Sequence, residues 1–203
     1  MFGRLTNTWC EKLMHNLNKS KNESTVSNIW LTIGLGLLFP VVHTANSWLF
    51  SFAELSPNVS LIYLPAFLRL LNVLVLGKFK GTLATLLGGA VLIAVDEQDN
   101  PLELDVAHML SSAAGPLLAL LAFEHLRGKK VNLISLADLA WVTLIYCLLN
   151  SLLHHFAWAV LPVQSLISTQ QMLMMAFGDL SGALIGAYVL KWTASRLGIG
   201  RPR

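Results

Sequence analysis

The strongest constraint on the fold is a succession of long apolar segments separated by short polar loops. They cover approximately residues 28–50, 61–77, 80–95, 106–124, 133–161 and 169–190. A membrane-spanning helix needs about 20 predominantly apolar residues. Hydrophobic residues make up 55% of the chain and charged residues only 12%, against about 25% charged residues in soluble domains. The sequence therefore predicts an all-α, polytopic membrane helix bundle of about six transmembrane helices in a lipid bilayer.

The basic residues fall on one side of this arrangement. Apart from Arg69, they lie in the N-terminal segment, the second-to-third turn, the fourth-to-fifth loop and the C-terminal end, whereas residues 96–105 carry acidic residues and no cation. Lys and Arg beside membrane spans are retained in the cytoplasm. Both termini are therefore predicted to be cytoplasmic. Because the net charge of +3 arises from these flanking cations, no nucleic-acid binding is expected.

Three regions follow from this pattern. Residues 1–27 form a cytoplasmic segment, residues 28–190 the six-helix transmembrane domain, and residues 191–203 a basic cytoplasmic tail. In the first of these regions, apolar residues at spacings of three and four predict an amphipathic helix on the membrane surface. A frayed tail or a helix docked on a partner is the alternative. These apolar residues are Phe2, Leu5, Trp9, Leu13 and Leu17.

Two charged residues lie in the middle of predicted spans, Arg69 in the second and Asp179 in the sixth. A charge at bilayer depth costs about 2.5–3.5 kcal/mol on insertion scales. Their positions along the helices correspond to similar depths, about 12 and 16 Å from the outer surface. We expect a buried pair of these side chains that fixes the second helix against the sixth. The alternatives are that Arg69 binds a small anionic ligand from the outer side, or that it snorkels or bonds carbonyl groups.

His43 and His154 fall in the outer third of their predicted helices and are candidates for the same buried polar site. Imidazoles bind Zn or Cu and titrate near neutral pH. However, His154 and its neighbour His155 point about 100° apart on a helix, and no metal-ligand spacing accompanies them. Structural histidines are favoured, and no metal or other cofactor is expected. Since no nucleophile–base pair or phosphate-binding loop occurs either, the sequence does not predict an enzyme.

Small residues and prolines predict how the helices pack. Three glycines at intervals of four form a flat stripe on the sixth span, where another helix can approach closely; internal packing is preferred to dimerisation. This glycine stripe consists of Gly178, Gly182 and Gly186. Prolines inside spans remove a helix hydrogen bond and produce kinks. Pro65 is one of these, with Pro40 and Pro116.

Three stretches, taken together, resemble a known family. They are IYLPAFLRLLNVLVLGKFKGTLATLLGGAVL, AHMLSSAAGPLLALLAFEHLRG and FGDLSGALIGAYVL. In this order they resemble the first type of bacterial membrane-associated sensor domain, the MASE family, over residues 59–190. The resemblance implies a bacterial inner-membrane location and a sensing role in a free-standing, reduced version without the kinase or cyclase domains usual in the family. The best-matching positions are Pro65, Gly77, Gly88, Gly178, Asp179 and Gly182.

The expected function is a sensory or accessory module without catalytic activity that acts through helix contacts with a partner membrane protein or complex. A substrate-binding component of a small-molecule transporter, similar to those of energy-coupling-factor transporters, is the first alternative, because such components are also six-helix proteins of about this size. A structural subunit of a larger membrane complex is the second.

Overall fold

The predicted all-α helix bundle is confirmed. The computed structural model describes residues 25–56, 59–95, 101–161 and 168–196, so the predicted amphipathic helix of residues 2–17 lies outside the described residues. A 3-10 turn, Ser51–Ala53, and an antiparallel hairpin of β1, Glu54–Ser56, and β2, Val59–Ser60, follow the first helix. The helices are α1, Thr25–Leu49; α2, Pro65–Leu76; α3, Lys78–Val95; α4, Leu102–Arg127; α5, Leu136–Val160; and α6, Thr169–Arg196.

Five of these helices are long and apolar enough to cross a membrane, which indicates a multi-pass membrane protein. The exception in the described part of the chain is α2, whose 12 residues extend only about 18 Å. The hydrocarbon core of a bilayer is about 30 Å thick. The second predicted span, residues 61–77, is therefore helical only beyond residue 64.

The sequence predicted that Pro65 lies inside a span. This prediction was wrong, because Pro65 is the first residue of α2. Proline is well suited to the first helical position because it has no N–H and its fixed φ is already helical. Pro40 and Pro116 do lie inside helices, in α1 and α4.

The non-helical residues 60–64 are partly buried, and their backbone forms hydrogen bonds with neighbouring polar groups. The Tyr63 amide donates to the Gly178 carbonyl oxygen of α6 at 3.1 Å. The Leu64 amide donates to Oδ1 of Asn46 in α1 at 2.8 Å. Non-helical backbone at membrane depth is tolerated only where it is buried in protein or lines a cavity. Contacts of this kind make the short α2 compatible with a membrane-embedded bundle.

The glycine stripe contacts this segment within the same chain. A Cβ on Gly178 would lie 1.9 Å from the carbonyl oxygen of Ser60. A Cβ on Gly182 would lie 1.9 Å from the carbonyl oxygen of Tyr63. The Phe67 ring covers the third glycine. Residues 60–67 can therefore lie directly on the α6 backbone only because the side chains are missing.

The two cationic corners of the chain lie at the same end of the bundle. Gly77, with φ of 82°, makes the tight turn between α2 and α3. The side chain of Lys78, just after this turn, forms an ion pair with Glu124 near the end of α4. Lys129, just after α4, forms a second ion pair with Asp138 at the start of α5. The hairpin and the starts of α4 and α6 consequently lie at the opposite end.

Candidate functional site

A cavity of about 300 Å³ lies in the half of the bundle opposite the cationic turns. It is lined by the second half of α1, the hairpin, the start of α2, the end of α3, the start of α4, and facing parts of α5 and α6. This volume lies at the lower limit of the roughly 300–1,000 Å³ typical of ligand sites. The cavity therefore has room for a small molecule.

Five of the polar side chains that line this cavity are deeply buried. Arg69 is 5% exposed and Asp179 is 1% exposed. Asn46, Asn150 and His154 are buried beside them, and all five line the cavity. Polar and ionisable groups within the membrane-spanning part of a protein are expensive, and they mark functional sites more often than other buried residues do.

Arg69 is held between two aromatic rings. Its guanidinium carbon lies 5.1 Å from the centre of the Phe39 ring and 5.0 Å from that of Tyr63, within range of cation–π attraction. Nη2 donates a hydrogen bond to Tyr63 Oη at 2.9 Å. Nε is buried and has no hydrogen-bond partner among the described residues. The guanidinium is thus fixed in position with donor capacity left over.

Tyr63 connects this arginine to α1. Its hydroxyl oxygen lies 3.1 Å from Nδ1 of His43. Because arginine can only donate, the Tyr63 oxygen accepts from Arg69 and its own proton is available for the imidazole. Tyr63 belongs to the non-helical segment before Pro65. The interruption of the second span therefore places the hydroxyl that orients the arginine.

Asp179 is held from α5. Nδ2 of Asn150 donates to Asp179 Oδ2 at 2.6 Å. Asn150 can stand here because α4 has a glycine opposite it: a Cβ on Gly115 would lie 2.8 Å from Asn150 Oδ1. One turn further along α5, His154 Nδ1 lies 2.9 Å from the Asn150 carbonyl oxygen. A carbonyl oxygen only accepts, so this nitrogen carries the proton.

The expected direct pair of Arg69 and Asp179 is not formed. Both residues are described in the structure, and no nitrogen of Arg69 lies within 4.0 Å of a carboxylate oxygen of Asp179, the limit for an ion pair. The physical reason is that each has its own partners: aromatic rings and a phenol for the arginine, an amide for the aspartate. Both nevertheless line one cavity, so two opposite charges face a common space without contact.

The histidines of the cavity do not form a metal centre. His43 and His154 both line it, as does His108. His108 accepts a hydrogen bond from Trp158 Nε1 at its Nε2, at 2.6 Å. In the described part of the chain, no group of three or more His, Cys, Asp or Glu side chains is placed to hold a metal ion.

The cavity brings together all four polar residues singled out in the sequence, Arg69, Asp179, His43 and His154. Sequence reasoning missed the side chains that hold them. Asn46 and Asn150 carried a usable signal, since they are amides within apolar segments. Tyr63 and Phe39 carried none, because aromatic residues are common in spans.

The resemblance of residues 59–190 to the first type of membrane-associated sensor domain stays a prediction. It depends on motif positions in the sequence. Asp179 now has a structural setting beside the cavity, Pro65 at the start of α2, Gly77 in the following turn, and Gly178 and Gly182 against residues 60–64. Comparison of the chain with protein-family models, curated proteins and solved structures gives no match.

Proposed function

We propose that this protein is a sensory module of the bacterial inner membrane that binds a small ligand in its cavity and signals through helix contacts with a partner membrane protein. It has no catalytic activity of its own in this proposal. The observation that carries it is Arg69, a buried cation that lines a cavity and uses one of its five N–H donors in the hydrogen bond to Tyr63. A site with unused donor capacity is suited to an incoming acceptor.

The interrupted second span supports this proposal. Substrate sites of membrane proteins are commonly built at discontinuous helices, whose non-helical backbone lines the binding cavity. Here residues 60–64 are the non-helical part, and Ser60 and Tyr63 line the cavity. The same segment packs on α6 through the glycine stripe. A ligand that moves it would therefore also change the position of α6, which gives a route for a signal.

The orientation we propose puts the cationic corners in the cytoplasm and the cavity in the outer half of the membrane. Two observations support this orientation. Lys and Arg beside spans are retained on the cytoplasmic side, and Lys78 and the α4–α5 loop lie at the same end of the bundle. A ligand would then enter from outside the cell.

This orientation predicts the outcome of cysteine labelling in intact cells. In a background with Cys10→Ser and Cys147→Ala, we expect a membrane-impermeant maleimide to label Leu55→Cys, in β1, in intact cells. Lys80→Cys and Lys130→Cys should be labelled only after the membrane is permeabilised. Labelling of positions 80 and 130 from opposite sides would contradict the proposed topology.

The interrupted helix also favours a second candidate, the substrate-binding component of a small-molecule transporter, because transporters use discontinuous helices in the same way. Cross-linking of the full chain in its native membrane, followed by purification, separates the two. We expect a histidine kinase or a diguanylate cyclase to be cross-linked. If a pair of ATPase subunits were cross-linked instead, the protein would be a transporter component and not a sensor. If a stoichiometric respiratory or photosynthetic assembly were cross-linked, its role would be structural.

A further inference from the structure

We infer that the cavity binds a small dipolar molecule, a zwitterion whose carboxylate contacts Arg69 and whose ammonium group contacts Asp179. This inference rests on the proposed function, in which the cavity is a ligand site. It adds the chemical class of the ligand.

The first step is the separation of two buried charges. Arg69 and Asp179 are both more than nine-tenths buried and line the same cavity, but they form no ion pair. The effective cost of burying a charge in a protein is several kcal/mol per ion, and it is recovered only when the charge has a partner. Their present partners are neutral groups, so a dipolar molecule placed between these two side chains would give each of them an oppositely charged partner.

The second step concerns the freedom of the arginine. The Phe39 and Tyr63 rings hold the guanidinium, and Tyr63 Oη takes one of its donors. Since a guanidinium has five N–H donors, it retains donor capacity for an acceptor from outside. Arginine pairs with carboxylates through two parallel hydrogen bonds, which makes a carboxylate the best-matched ligand group.

The third step concerns the aspartate. Asn150 Nδ2 donates to one oxygen of Asp179 and fixes the orientation of the carboxylate. A ligand with a carboxylate alone would compensate Arg69 and add a negative charge to a cavity that Asp179, Glu54 and Asp105 already line. A ligand with an ammonium group alone would have the reverse defect beside Arg69. Like charges in a shared, poorly solvated space repel one another, so both singly charged ligands should bind more weakly than the zwitterion.

The fourth step concerns the apolar part of the cavity lining. Apolar side chains from α3, α4 and α6 contribute to the lining, including Leu92, Met109 and Met175. Apolar lining with a few polar groups that fix orientation is the usual composition of a small-molecule site. The ligand therefore has charged ends joined by a short apolar chain, as in an amino acid whose amino and carboxyl groups are separated by methylene groups.

The experiment uses the full chain in lipid nanodiscs and measures the midpoint of thermal unfolding. The probes are glycine, 3-aminopropanoate, 4-aminobutanoate, 5-aminopentanoate and 6-aminohexanoate, each with the carboxylate and the amine of the same chain length as singly charged analogues. A ligand that binds only the folded state raises its stability by an amount that grows with concentration over Kd. We expect one chain length to raise the midpoint most, and its singly charged analogues to bind about tenfold or more weakly, a difference of about 1.4 kcal/mol.

Four variants assign the effect to the two charges. Asp179→Asn keeps an oxygen that can accept from Asn150, and it should remove the preference for the zwitterion over the carboxylate. Arg69→Lys keeps the cation but not the paired donors, and it should weaken every carboxylate-containing probe. The matched controls Arg127→Gln and Glu103→Gln change exposed residues outside the cavity lining and should leave the shifts unchanged.

Two results would overturn the inference. Equal stabilisation by a zwitterion and its matched carboxylate, unaffected by Asp179→Asn, would show that the ligand need not be dipolar, although ligand binding would stand. No stabilisation by any probe would remove this class of ligand. The proposed function is judged separately, by the membrane cross-linking described above, so the two failures can be distinguished.

Discussion

Gly182→Ala is expected to destabilise the protein by about 3 kcal/mol, enough to prevent recovery of a folded bundle in detergent. The new Cβ would lie 1.9 Å from the Tyr63 carbonyl oxygen and 2.3 Å from its carbonyl carbon. Both are backbone atoms, so a side-chain rotation cannot relieve the overlap. Extra methyl groups in tightly packed sites commonly cost about 1–3 kcal/mol, and more where the backbone must shift. The thermal unfolding midpoint and the monodisperse yield after size-exclusion chromatography measure the effect.

Gly34→Ala is the matched control, since it makes the same chemical change inside another predicted span. Gly34 is exposed, and a Cβ there would have no neighbour within 4 Å. Alanine is the better helix former by about 1 kcal/mol in water, so this variant should be at least as stable as the parent chain. Equal stability of the two variants would show that residues 60–64 do not lie closely on α6. A change in oligomeric state alone would assign the glycine stripe to a contact between two chains.

The long helices could be predicted because length and hydropathy determine them almost alone. The apolar segment 169–190, for instance, corresponds to α6, Thr169–Arg196. The interruption before α2 could not be predicted in the same way. Residues 61–77 are predominantly apolar, and a proline is equally compatible with a kink inside a helix and with the first position of one. The choice depends on tertiary contacts, namely the close approach of Ser60 and Tyr63 to the glycine stripe.

The site was predictable in its charges but not in its geometry. Arg69 and Asp179 stood out because a charge in a membrane span is costly wherever it is placed. Helix rise predicted similar depths for the two, although residues 61–64 are not helical, and depth is only one coordinate. The rotation of each helix about its axis, and the competing partners Tyr63 and Asn150, lie on other parts of the chain. The sequence therefore indicated two charges at one level and could not show that they face a cavity without touching.

Arg69→Gln is expected to lower the free energy of unfolding by about 2–3 kcal/mol, the size usual when a buried charged group loses its hydrogen bond and its cation–π contacts. The variant loses the hydrogen bond to Tyr63 and the stacking on Phe39. It also leaves the Asp179 carboxylate as the buried charge of a shared cavity. Asp179→Asn should cost less, because an asparagine still accepts from Asn150 and nearly preserves the shape of the side chain.

The double variant Arg69→Gln, Asp179→Asn tests whether the two charges interact across the cavity. Once both charges are removed, neither is left uncompensated. The double variant should therefore lose about 1–2 kcal/mol less free energy of unfolding than the sum of the two single losses, within the range of coupled residues. Titration with SDS in mixed micelles measures each free energy of unfolding. Arg127→Gln combined with Asp179→Asn is the control and should be additive, because Arg127 is exposed at the opposite end of α4. Strict additivity in the cavity pair would mean that the two buried charges do not sense one another, and a ligand that bridges them would lose its physical basis.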